Sequence, residues 1–398
     1  NKSPFGEGGV SMECSMSGHS ITQGEPRRWA MFIILLVGAF LPPLDFFIVN
    51  VALPAIQGEL GTSSSAEQLV ISSYAAVYAV TLITGGRLGD IYGRGKMFFL
   101  GLMGFAAASL LCGLAWSPWV LITGRMLQGA TAAIMAPQAL ASIQAIFPEA
   151  EKPLALSIYG AVFGLASVIG QILGGVLISA DLFHLGWRTI FLVNLPVALL
   201  IVLFGLRLLK ETRAPSTQRL DPIGMLLATL TLSALIVPLI EGREAGWPWW
   251  TVLLLLAVPL LASLLWRYEH RLSQKGGSPL LDPRVLSTPG LGQALVIVLL
   301  FYSLAAFFLL FSVYLQSALH LTALTAGRLF LPFGLGFLIG PLFTPYLRGF
   351  VGYYLSANGL GCEALGLEGM AWLLAHPLPG NAPEMRPLAM LLFFTGLG

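Results

Sequence analysis

The chain has 398 residues, 56% of them hydrophobic and 10% charged, against the roughly 25% charged residues of an ordinary soluble domain. Its formal charge of +2 is too small to build the basic face with which nucleic-acid binders displace counterions, so DNA and RNA are excluded as partners. The apolar residues come in unbroken runs of about 20, the length of a membrane-crossing helix, rather than the roughly 10-residue alternating segments of an outer-membrane barrel. The expected fold class is all-α, a polytopic transmembrane helical bundle in the lipid bilayer.

Residues 1–26 are polar, without helical periodicity, and read as a mobile tail. Arg27 and Arg28 then precede an apolar run at about 29–51 that ends in Pro54 without a small-residue cleavage site, so it reads as a retained first span. Further runs follow at 67–86, 97–115, 119–145, 154–180, 189–208, 222–240, 249–268, 292–317, 324–346 and 350–375, eleven in all. A twelfth begins near Pro387 and stops at Gly398, which reads as a chain cut short. The polar stretches Glu211–Asp221 and Glu269–Gly290 set off the pair at 222–268. The expected organisation is therefore a tail (1–26), an N-terminal six-helix bundle (27–210), an inserted transmembrane hairpin with flanking linkers (211–291) and an incomplete C-terminal bundle (292–398).

Lys and Arg gather in the loops on one side, including Arg87, Arg94, Lys96, Lys152 and Lys210, whereas the other side carries Trp116, Trp119, Trp187, Trp247, Trp249 and Trp250. The positive-inside rule and the interfacial aromatics together predict a cytoplasmic N-terminus. Cys14, Cys112 and Cys362 and the five histidines show no ligand spacing, so no metal and no cofactor is expected. No Gly-Lys-Ser or Gly-Lys-Thr phosphate loop is present, which points to an ion gradient or the cargo's own gradient as the energy source.

Asp45, Arg125, Glu363 and Glu368 are ionisable residues inside the runs. A charge at the bilayer centre costs about 2.5–3.5 kcal/mol on insertion scales, so each is a functional candidate. Asp45 lies late in an outward-running span and Arg125 early in an inward-running one, which puts them at a similar depth. A carboxylate torn between a cationic neighbour and burial can take and release a proton; the bland alternative is a static ion pair. Glu363 and Glu368 are five residues apart, hence on different sides of a helix. Glycines and charges meet in Gly86-Arg87-Leu88-Gly89-Asp90-Ile91-Tyr92-Gly93-Arg94 at the end of the second run.

That spacing resembles the loop motif of the major facilitator superfamily, G-x-L-x-D-x-x-G-R. Arg125-Met126-Leu127-Gln128-Gly129 is similar to that superfamily's R-x-x-Q-G motif, and Gly170-Gln171-Ile172-Leu173-Gly174-Gly175 to its antiporter motif, with Gln171 standing where proline is usual. Leu44-Asp45 through Val49-Asn50-Val51-Ala52-Leu53-Pro54, Trp187-Arg188 through Asn194-Leu195-Pro196, and Tyr314-Leu315-Gln316 resemble the fourteen-span drug:proton antiporter branch of EmrB/QacA type. The resemblance implies a proton-coupled multidrug efflux carrier, not an enzyme, working as a monomer in a bacterial cytoplasmic membrane with protons and small lipophilic or cationic compounds as partners. It implies proton coupling by Asp45 and Arg125. Within the cavity, Asn50 and Gln128 are expected to supply neutral hydrogen bonds and Tyr74 and Tyr302 to contact cargo, with ordinary helix packing as the alternative for the two aromatics. The resemblance also implies a cytoplasmic gate of Gly86, Gly89, Asp90, Gly93 and Arg94, and an antiporter-motif helix with Gly170, Gln171, Gly174 and Gly175. A symporter, an exporter of a native metabolite and an inactive fragment are the alternatives.

Overall fold

A computed structural model describes residues 27–62, 64–209, 211, 221–242, 245–280, 288–319, 321–375 and 385–397. Among these there is no β-strand. The helices are α1 (Arg27–Leu60), α2 (Ser64–Tyr92), α3 (Arg94–Gly113), α4 (Pro118–Ile146), α5 (Lys152–Ala180), α6 (Thr189–Leu192) and α7 (Asn194–Leu208). They continue with α8 (Pro222–Glu241), α9 (Trp249–Gln274), α10 (Leu291–Val313), α11 (Ala323–Leu329), α12 (Leu331–Val351), α13 (Leu355–Ala375) and α14 (Met385–Leu397). The all-α class is the one expected from the apolar runs.

Eight stretches of described helix are long and apolar enough to cross a membrane, fewer than the eleven runs. Two helices that fall outside that set are α4 and α13. α4 carries Arg125, Gln128 and Gln138, all buried, and α13 carries the buried Glu363 and the exposed Glu368, so charged and amide side chains lower the mean hydropathy of both helices. A second difference concerns Pro54, which does not end the first helix: α1 runs on to Leu60 with Pro42, Pro43 and Pro54 inside it. Each proline removes one backbone donor, and tertiary packing holds the helix together, since α1 is buried along most of its length.

α2 and α3 each lie along α4, and α1 lies along α5. The chain reverses between α2 and α3 at Gly93, whose φ of 109° a side chain would disfavour. One apolar core joins Leu35, Leu41, Phe98, Phe105 and Met135; a second joins Ile48, Ile56, Trp187 and Phe191. α8 pairs with α9 and leans on α2, and within α9 only Thr251 and Glu269 are buried. α11 and α12 pack against α5, and α12 and α13 against α14. Phe47, Phe308, Phe330 and Phe333 form a third core spanning these two groups. Large apolar side chains such as Leu256, Leu299 and Met390 face outward, the surface that a bilayer rather than water accommodates.

Candidate functional site

Asp45 follows Pro42-Pro43 in the middle of α1, and Arg125 projects from the second turn of α4. Both side chains are completely buried, and Arg125 Nη1 donates to Asp45 Oδ2. The guanidinium also donates through Nε to the Val70 carbonyl at 3.0 Å and through Nη1 to Gln128 Oε1 at 2.9 Å. Its Cζ lies 4.3 Å from the centroid of the Tyr74 ring and 5.9 Å from that of Phe191. The other carboxylate oxygen, Asp45 Oδ1, accepts from Gln128 Nε2 at 3.0 Å and from Asn194 Nδ2 at 2.8 Å. Ser109 Oγ accepts from the same two amides at 2.8 Å and 3.3 Å. Cys112 Sγ lies 3.3 Å from Gln128 Oε1.

The network thus takes side chains from α1, α2, α3, α4 and the start of α7, and within it charge is balanced locally. A buried ion pair repays its desolvation only when its remaining donors and acceptors are satisfied. Arg125 Nη2 and Asn194 Oδ1 are buried without a hydrogen-bond partner among the described residues, so one donor and one acceptor here stay unused.

The other expected residues are distributed as follows. Tyr74 is buried and donates its hydroxyl to the Pro42 carbonyl at 3.1 Å. Asn50 is buried in α1, with Oδ1 unpaired among the described residues. Neither these two nor Gln128 lines the cavity of ≈ 380 Å³ that the structure forms from Ala39, Pro42, Pro43, Tyr78, Tyr159 and Phe337, among others. Tyr78, stacked on Tyr74 at 6.1 Å, is the aromatic that α2 presents there. The side chain of Tyr302 lies outside the described residues. Pro42 is three residues from Asp45, about 4.5 Å along the helix axis, so the cavity wall and the ion pair share one turn of α1.

In the loop after α2, Asp90 Oδ1 accepts from Arg94 Nη2 at 3.1 Å, and Arg94 Nη1 donates to the Ala141 carbonyl at 3.0 Å. Gly89 lies against the Gln138 amide, which donates to the Gly85 carbonyl at 2.7 Å. Arg87 donates to the carbonyls of Pro279 and Leu280 beyond α9. Glu211, just past the first bundle, accepts from the backbone N–H of Gly95 at 3.0 Å and Lys96 at 3.2 Å. The loop is therefore held to α4 and to both linkers that flank α8 and α9.

α5 is continuous through Gln171. Ideal Cβ atoms on Gly170 and Gly174 would stand 3.1 Å from the carbonyl oxygens of Leu44 and Ile48 respectively, so α5 approaches α1 closely beside Asp45. Gly175 is buried as well. Gln171 is fully buried, with neither amide atom bonded among the described residues. Glu363 is buried and Glu368 exposed, in keeping with their separate helix faces.

Sequence reasoning assigned no part in the proton site to Ser109, Cys112 or Asn194, and missed Glu211. Asn194 carries a faint signal, an amide inside an apolar run; a serine among Ala106, Ala107, Ala108 and Leu110 carries none.

Taken together, the fold and the buried network define a polytopic helical membrane protein built around an internal ion pair. The chain belongs to the Major Facilitator Superfamily, which it matches over residues 35–397. It is 38% identical over 81% of its length to a probable actinorhodin transporter of Streptomyces coelicolor, covering 56% of that protein. It is 38% identical over 79% of its length to the puromycin resistance protein pur8 of Streptomyces alboniger, covering 62% of it. It is also 32% identical over 91% of its length to the multidrug resistance protein Stp of Mycobacterium tuberculosis, covering 65% of it. The chain therefore spans less than two thirds of the length of these relatives. Among solved structures, it resembles the tetrameric PepTSo2 with a TM-score of 0.61 at 15% identity, over 93% of this chain and 82% of that one. A peptide transporter POT in complex with sulfate aligns at 0.60 and 16% identity, over 92% of this chain and 79% of that one. These likenesses concern the fold alone.

Proposed function

We propose that the protein exports lipophilic or amphipathic compounds in exchange for protons, as a monomeric carrier of the fourteen-span EmrB/QacA type in a bacterial cytoplasmic membrane. Its N-terminus and Arg-rich loops face the cytoplasm. The two helix groups, 27–210 and 292–398, rock about the cavity between them, and the hairpin within 211–291 flanks the first. The observation that carries the reading is the fully buried Asp45–Arg125 pair, one turn from the cavity wall. An ion pair taken out of water this completely is costly to maintain, and proton exchange gives that cost a use. Asp45 releases its proton to the cytoplasmic side as cargo loads and regains one when the site opens outward. Arg125 holds the carboxylate between these events.

Gln128 carries the pairing into the hydrogen-bond network, while Asn50, Tyr74 and Tyr302 join the cargo path in the outward-open form. Asp90 and Arg94, with Gly86, Gly89 and Gly93, latch the cytoplasmic mouth. Gly170, Gln171, Gly174 and Gly175 keep α5 against α1 so that protons do not pass without cargo. The named functions of relatives favour natural antibiotics as cargo, since these relatives include a probable actinorhodin transporter and a cephamycin export protein. The test replaces Asp45 with Asn in the full-length protein and measures proton-driven dye uptake into everted vesicles. Loss of gradient-driven uptake with dye binding retained is the expected result; undiminished exchange removes Asp45 from this role.

A further inference from the structure

On the flank of the bundle, apart from the ion pair and the central cavity, α8 leans on α2 beside α4 and leaves a crevice of ≈ 280 Å³. Leu69, Val77, Ile122, Met126, Val237 and Ile240 give it apolar walls. From Leu69 to Val77 it follows nine residues of α2, about 12 Å, the length of a drug-sized molecule. Two polar features interrupt the walls. Glu241, the last residue of α8, lines the crevice at the end opposite the Arg-rich loops, as does Trp119 at the start of α4. Ser72 and Ser73 line it as well, and their hydroxyl oxygens are buried without a hydrogen-bond partner among the described residues. Ser73 is itself 9% exposed.

Helical hydroxyls ordinarily satisfy themselves on a carbonyl one turn back, and this protein follows that habit elsewhere. Thr123 donates to the Trp119 carbonyl at 2.8 Å, and Ser157 to that of Pro153 at 2.8 Å. Ser72 and Ser73 do not, and an unpaired buried hydroxyl costs free energy that an incoming acceptor recovers. A mostly apolar concavity with a few convergent polar groups is the usual form of a small-molecule site.

We propose that this crevice is a second binding site, for amphipathic organic cations that carry an oxygen acceptor. The cationic group lies against Glu241, the apolar body fills the space between α2, α4 and α8, and the Ser72 and Ser73 hydroxyls, buried in the structure, rotate into the crevice to meet the acceptor. A lipid acyl chain would use the walls but neither the carboxylate nor the hydroxyls. The site is independent of proton coupling at Asp45, so its test reads binding rather than transport.

The experiment titrates rhodamine 6G, a cationic dye with an ester, into the full chain in phosphatidylcholine nanodiscs and follows fluorescence anisotropy. Neutral Nile red is titrated in parallel. Glu241→Gln is expected to weaken rhodamine binding about tenfold and leave Nile red unchanged, while Val237→Trp, which fills the crevice from its lipid side, weakens both. The paired change Ser72→Ala with Ser73→Ala is expected to weaken rhodamine by a similar factor. Unaltered rhodamine affinity in Glu241→Gln overturns the proposal even where the larger Val237→Trp change impairs folding. So does equal loss of both dyes in Glu241→Gln. Native mass spectrometry supplies the remaining arm: a co-purifying phospholipid released by Val237→Trp, with rhodamine binding unchanged, assigns the crevice to lipid and refutes the cation reading.

Discussion

Removing Arg125 alone strands the carboxylate of Asp45, and the structure sets the size of the effect. Asp45 is fully buried and is held by Arg125 Nη1, by Gln128 Nε2 at 3.0 Å and by Asn194 Nδ2 at 2.8 Å. Deleting one member of a buried ion pair typically costs about 3–5 kcal/mol. The two amide donors remain in Arg125→Met, so the lower bound applies, about 3 kcal/mol. When Asp45→Asn accompanies Arg125→Met, no charge is left to strand, and most of that loss returns as coupling energy between the two sites. Cys112 reports the outcome directly, because its buried thiol touches Gln128 within the network, whereas Cys362 is exposed. With Cys14 replaced by Ser, the rate of maleimide labelling at Cys112 relative to Cys362 measures how often the network opens. At tenfold per 1.4 kcal/mol, Arg125→Met is expected to label Cys112 roughly 100-fold faster, and the double variant to return to within about tenfold of the parent. Parental labelling in Arg125→Met, or no recovery in the double variant, refutes the claim that the pair is the stabilising partnership at this depth.

At the crossing of α1 and α5, Gly174→Val forces a side chain to within 3.1 Å of Ile48 and is expected to cost about 1–3 kcal/mol by overpacking, read as a lower thermal unfolding midpoint. Glu211→Gln weakens two charge-assisted contacts to the first turn of α3. On a surface this amounts to about 0.3–1 kcal/mol, and hydrogen–deuterium exchange at Gly95 and Lys96 is expected to rise while α5 stays unchanged. Outside the membrane-spanning helices, the hydrogen bond with His184, followed by that from the Gly186 N–H, holds the Asp181 carboxyl below the usual carboxylate value. A lowered folded-state pKa contributes stability above the unfolded value, and this is lost as pH falls through the folded one. His184→Ala is accordingly expected to move the Asp181 titration toward the ordinary range, as monitored by carboxyl NMR, and an unmoved titration removes His184 as the cause.

The legible part of the site was the expensive part. A charged side chain in an apolar run announces itself, and Asp45 and Arg125 could be set at one depth from the directions of their helices alone. Ser109 and Cys112 complete the network with small side chains that cost nothing to find in a membrane helix, so no pattern marks them. The extent of α1 was misjudged because Pro54 is a local signal, whereas its helix is sustained by neighbours such as Ile56 and Trp187 in the second core. Glu59, five residues beyond Pro54, accepts from Trp187 Nε1 at 2.8 Å and from Arg188 Nη1, a contact that only the longer helix permits. The loop contacts were hidden for another reason: that Arg87 reaches Pro279 and Glu211 reaches Gly95, both more than a hundred positions away, is a property of how the linkers run, which no local spacing encodes.

One helix connects the ion pair to the rest of the proposed cycle. On α1, Pro42 and Pro43 border the cavity and Asp45 meets Arg125, while Phe47 packs on Phe308 at 5.4 Å in the core shared with α10, α11 and α12. Across its back lies α5, with Gly170 set against Leu44 and Phe47 and Gly174 against Ile48. These contacts fall within seven residues, so a shift of α1 by a fraction of a turn is felt at the cavity, the carboxylate and the aromatic core together. Close packing passes such shifts on rather than absorbing them. In the proposed exchange, neutralising Asp45 loosens its hold on Arg125, and α1 is the element through which that change reaches both helix groups. The prolines favour this role, because a helix missing backbone donors at Pro42 and Pro43 bends at lower cost one turn from the charge that switches it.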